Sequence, residues 1–149
     1  MQTNISFELD AQLVSQLLDI LFREQASLVT LDVDALEVLL EEKSVLLERI
    51  TDAAKMRYDM LNLDGLAQSE IGMELWVNQQ GKLTVKSAWL DFQKSLNQAK
   101  EMNRLNGMLI NQHFNRNQVL INHLQGNSDA LMFMAEMASH KCNLHCAQV

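Results

Sequence analysis

The chain has 149 residues, is 48% hydrophobic, carries a formal charge of −7, and contains no proline and five glycines. That length and apolar share support one domain with a thin core and exclude disorder throughout. The charge is uneven: residues 1–64 hold thirteen Asp and Glu against five Lys and Arg, and residues 65–149 hold six against seven. An acidic chain without a basic stripe is a poor ligand for phosphate backbones, which argues against nucleic-acid binding. No apolar run approaches the length of a spanning helix, and the N-terminus has neither the basic start nor the apolar stretch of a signal peptide. The expectation is a cytoplasmic protein in which Cys142 and Cys146 are reduced thiols.

The apolar residues recur three and four apart, which predicts helices. The first runs from about residue 7 to 31, with Leu13, Val14, Leu17, Leu18, Leu21, Phe22, Leu28 and Val29 on its inner face. After a short turn, Asp34 followed three residues later by Glu37 forms a capping-box start. A second stripe follows through Leu36, Leu39, Leu40, Leu46, Leu47, Ile50 and Ala54. Residues 7–62 therefore read as an antiparallel helical hairpin. Glu24 and Lys43 interrupt the two stripes, and reflecting the hairpin about Asp32 brings them within about one turn of each other. They read as a structural ion pair at the edge of the seam, because acid–base work would need a cleft and an orienting group.

Asp64-Gly65 is a turn dipeptide, and Gly81 marks the next break. Between them, residues 66–79 form a short connecting helix or ordered loop with Ile71, Leu75 and Trp76 to bury. Thr84 is the expected cap of a third long helix, 84–125, which at 1.5 Å per residue reaches roughly 60 Å. Its stripe passes through Val85, Trp89, Phe92, Leu96, Ala99, Asn103, Asn106, Ile110, Phe114, Asn117, Ile121 and Leu124. Leucine would bury more readily than asparagine at three of these positions, so the amides set register or keep the face partly open. Asn103 and Asn106 are expected at the seam, satisfied by partner side chains or water. The fold class is all-α: an antiparallel hairpin packed along a third long helix, an elongated three- to four-helix, coiled-coil-like bundle in a single domain 1–149, with a tail at 127–149.

In that tail His140, Cys142, His145 and Cys146 fall within seven residues. Structural zinc patterns come as two separated pairs that close a fold, whereas this cluster encloses nothing, so a solvated tail is the preferred reading. His113 and His123 lie beside the stripe of the third helix as packed or half-exposed residues. No metal, cofactor or catalytic residue is assigned. The acidic face of Glu37, Glu41, Glu42 and Glu48 reads as solubilising. Methionines at 132, 134 and 137 with Phe133 suit either core filling or a surface that adapts to several partners.

The segments Arg23-Glu24-Gln25-Ala26-Ser27-Leu28 and Glu41-Glu42-Lys43-Ser44-Val45-Leu46-Leu47, then Trp89 and, eighteen residues on, Gly107 within Asn103-Arg104-Leu105-Asn106-Gly107-Met108-Leu109, together resemble the FlgN family of flagellar type III export chaperones. The resemblance covers about residues 10–125, and Asn-x-x-Asn-Gly followed by Asn117 is its most specific part. It implies a helical cytoplasmic protein, without catalytic activity, that holds hook-associated proteins of the hook–filament junction and delivers them to the export apparatus. Many relatives have Tyr-Gly and Asp-Gly in the tail where this chain has Leu131-Met132-Phe133-Met134-Ala135-Glu136, so a tyrosine-dependent contact with the export gate does not carry over. The seam needs one face, yet Val119, Leu120 and Ile121 are consecutive, which leaves apolar surface on a second side. Val119, Leu120, Leu124, Leu131, Phe133 and Met134 are therefore the expected partner-binding residues. The competing readings are a structural coiled-coil subunit that self-associates as a homo-oligomer and a metal-binding helical regulator.

Overall fold

The computed structural model describes residues 3–116, which form four helices: α1, Glu8–Thr30; α2, Val33–Leu63; α3, Glu70–Gln80; and α4, Leu83–Arg116. No strand occurs among the described residues. α1 packs along both α2 and α4, and the short α3 touches α2 and α4. This is the all-α arrangement of a hairpin with a further long helix laid along it. The 34 described residues of α4 correspond to about 51 Å of helix, and residues 117–125 of the expected helix lie outside the described residues.

Only Leu31 and Asp32 join α1 to α2. Leu31 takes the left-handed conformation, φ 54°, in which its N–H bonds to Leu28 O and the Asp32 N–H to Ser27 O. These two bonds satisfy carbonyls left open by the last turn of α1. The Asp32 side chain then accepts from the Ala35 N–H at 3.1 Å and caps α2. The expected capping residue, Asp34, is displaced from that role because the turn uses so few residues that α2 is under way at Val33. Asp34 lies in the first helical turn, where its charge meets the positive end of the helix dipole. Thr84 is likewise no cap. α4 begins at Leu83, and the Lys86 N–H bonds to Lys82 O, which places Thr84 inside the first turn.

The buried face of α1 follows Leu13, Val14, Leu17, Ile20, Leu21, Glu24 and Leu28. Phe22 and Val29, expected inside, are 54% and 67% exposed. At 100° per residue both fall about 120–140° from the centre of that face, whereas the adjacent buried pairs Leu13–Val14 and Ile20–Leu21 straddle it. α3 buries Gly72, Met73, Trp76 and Val77 and turns Ile71 and Leu75 outward, so only Trp76 of its three expected core residues is buried. The rotation of α3 is set by its entry. Ser69 accepts from the Gly72 N–H, and Gly72 sits so close to the preceding loop that a Cβ there would lie 1.8 Å from Ala67 O. At its other end Gly81, at φ 62°, closes the helix.

Phe7 anchors the N-terminal end of the bundle. Its ring lies 6.5 Å from Trp76, 5.3 Å from Trp89 and 6.2 Å from Phe92, tying the start of α1 to α3 and α4. Thr3 donates from both its N–H and its hydroxyl to Asp64, holding the entering strand of chain against the end of α2. Around this aromatic group the main core extends along α1, α2 and α4, and a smaller cluster of Leu28, Leu36 and Ile110 closes the opposite end.

Candidate functional site

The stripe on α4 turns inward as its spacing requires: Trp89, Phe92, Leu96, Ala99, Met102, Asn106 and Ile110 are buried, and Val85 packs against them. Asn106 is fully buried and Asn103 half-buried. Both amides meet the ion pair of the hairpin. Lys43 Nζ lies 3.1 and 3.0 Å from the two oxygens of Glu24 and donates to Asn103 Oδ1 at 2.7 Å. Asn106 Nδ2 donates to Glu24 Oε1 at 2.9 Å and to Leu21 O at 3.0 Å. One network therefore joins α1, α2 and α4 through four side chains.

The pair of Glu24 and Lys43 is not at the edge of the seam as expected; both side chains are buried. Depth changes its energetics. Two ions withdrawn from water lose several kcal/mol of hydration each, and their mutual attraction offsets this only when further hydrogen bonds complete both groups. The two asparagines supply those bonds, which explains why amides stand in an apolar stripe. Asn106 Oδ1 has no partner. Turning the amide over would point that oxygen at the Glu24 carboxylate, so the observed orientation is the lower in energy.

A second buried pair joins the hairpin nearer its open end, where Arg57 of α2 donates to Asp10 of α1. The Arg57 guanidinium also lies over the rings of Phe92, at 5.0 Å, and Tyr58, at 5.9 Å. Burial pushes the Tyr58 phenol up from its ordinary value; Arg57 opposes the rise and Glu70 adds to it. Sequence reasoning missed this pair, although its signal was present. Arg57 falls three residues after Ala54 and four before Leu61 on the buried stripe of α2. Nothing in either pair is open to a substrate, so these charges build the bundle.

Near the end of the described part of α4, Leu105 and Met108 are exposed while Asn106 and Ile110 face inward. The expected partner-binding residues Val119, Leu120, Leu124, Leu131, Phe133 and Met134 lie outside the described residues, as do His140, Cys142, His145 and Cys146. Among the described residues no group of three or more His, Cys, Asp or Glu is placed to hold a metal ion. No described helix is long and apolar enough to cross a membrane.

The FlgN protein family model matches residues 5–134 of the chain. Among curated proteins and solved structures, nothing matches it.

Proposed function

The chain belongs to the FlgN family, a family of flagellar export chaperones, and from that membership we propose that its clients are hook-associated proteins of the hook–filament junction. They are bound in the cytoplasm before they can assemble and are passed to the type III export apparatus. In this reading the protein catalyses no reaction and uses no cofactor. The client contributes an amphipathic helix, and the chaperone supplies apolar surface from the end of α4 and the segment beyond it. The observation that carries the reading is the exposure of Leu105 and Met108 on the side of α4 turned away from the core. The proposed anchors, Val119, Leu120, Leu124, Leu131, Phe133 and Met134, follow these two residues in the sequence. Each such side chain buried on a client helix contributes roughly 1.5–3 kcal/mol.

Calorimetry with the C-terminal region of a hook-associated protein tests this, comparing the full chain with one truncated after Gln125. We expect at least a tenfold loss of affinity on truncation. Unchanged affinity would place the client elsewhere.

A further inference from the structure

α2 has a second apolar line, on the side facing away from its buried residues. Val38, Val45, Met56 and Leu63 are 58%, 59%, 63% and 78% exposed. At 100° per residue these four positions fall within about 20° of one another, and they span about 37 Å of helix. Three are followed at the i+3 position by an acid: Glu41 after Val38, Glu48 after Val45 and Asp59 after Met56. The edge stays acidic because the helix spends its cations inside. Of its four basic residues, Lys43 and Arg57 are buried against Glu24 and Asp10, leaving Arg49 and Lys55 outside with all seven of its acids. Val45 also borders a groove of about 730 Å³ between α1 and α2, floored by Ile20 and Leu46.

An apolar line at spacings of seven, eleven and seven residues, with Asp52 on it and further acids beside it, has the form of a helix-pairing surface in which the charges select the partner. We infer that the outer face of α2 docks an amphipathic helix of another protein whose apolar stripe is edged by lysine or arginine. Charge complementarity fixes the choice. Pairing of α2 with α2 of a second copy would set seven acids against seven, and an anionic membrane surface is repelled in the same way. This face is separate from the end of α4 and does not depend on where a client binds.

The test uses the full-length chain and a synthetic amphipathic helix of about four heptads, carrying leucine at the core positions and lysine at the flanking ones. Its twin carries glutamate at the flanking positions. Fluorescence anisotropy should show the lysine-edged helix binding at least tenfold more tightly than its twin. The double variant Val45→Glu/Met56→Glu should lose at least tenfold of that affinity, and Glu41→Lys/Glu48→Lys/Asp59→Lys should reverse the preference. All these positions are exposed, so thermal melts of the variants should match that of the parent chain. Equal binding of the two helices, binding by neither, or affinities indifferent to both variants would overturn the proposal. So would sedimentation in which the chain alone self-associates and Val45→Glu/Met56→Glu abolishes it, since the occupant would then be a second copy.

Discussion

Asn106 of α4 donates to Glu24 of α1 across 2.9 Å, although the two are 82 residues apart in the chain. The same carboxylate receives Lys43 of α2. The register of the long helix on the hairpin is therefore set by a hydrogen bond to an ion that is already paired.

Replacing Lys43 with Met should cost about 3–5 kcal/mol, because it leaves the Glu24 carboxylate buried without its counter-ion. Replacing both, as Glu24→Leu/Lys43→Met, should recover much of that loss. Urea unfolding of the two single variants and the double variant measures the coupling. A Lys43→Met variant as stable as the parent would show that the pair contributes nothing.

Asn106→Leu should destabilise the fold by about 1–3 kcal/mol despite its greater apolarity, since Glu24 loses a donor in a site closed to water. Asn103→Leu should cost less, because Asn103 is only half-buried and Lys43 retains both Glu24 oxygens. Denaturation midpoints should rank the variants in that order.

Alkaline pH should weaken the fold through Tyr58. Burial holds its phenol above the unfolded value of about 10, so the folded chain keeps that proton more tightly than the unfolded chain does. The resulting stability is complete below pH 10 or so and is lost as the pH rises through the folded value. Tyr58→Phe should remove this component, so the difference in unfolding free energy between parent and variant should be flat from pH 8 to about 10 and then change. A difference that stays constant throughout would refute it.

Gly72→Ala should be among the most damaging single-atom additions in the described chain. The new Cβ meets backbone at 1.8 Å, and backbone has no rotamer to which it can retreat. A loss of at least about 3 kcal/mol is expected, at the upper end of overpacking effects, with tryptophan fluorescence reporting the displacement of Trp76.

Much of this architecture was legible from spacing alone. Three long apolar stripes with breaks at Asp32, Gly65 and Gly81 yield the hairpin and the helix laid along it, and the interrupting Glu24 and Lys43 pointed to each other. The asparagines in the α4 stripe were legible as polar seam residues, but their partners were not, since nothing local tells Asn106 that Glu24 lies opposite. Errors came where two local signals competed. Phe22 and Val29 are apolar beside buried leucines, Asp34 is a good cap two residues too late, and Ile71 and Leu75 look more apolar than the Gly72 that must pack against Ala67. Arg57 and Asp10 escaped notice because they lie beyond the apolar stripes as read, after Ala54 and before Leu13, whereas Glu24 and Lys43 interrupt them.

The two-residue link at Leu31 and Asp32 also sets an order of events. Glu24 and Lys43 are separated by 19 residues, so their encounter closes a small loop, whereas Asn106 must search across more than 80 residues to find the same site. A chain emerging from the ribosome can thus join its first two helices while α4 is still being made, leaving the side of α1 that will receive α4 uncovered in the interval. Pulse-labelled hydrogen exchange should find the amides of α1 and α2 near the turn protected before those of α4. The nascent chaperone is then for a time an incomplete bundle with an exposed apolar flank, in need of protection until α4 arrives.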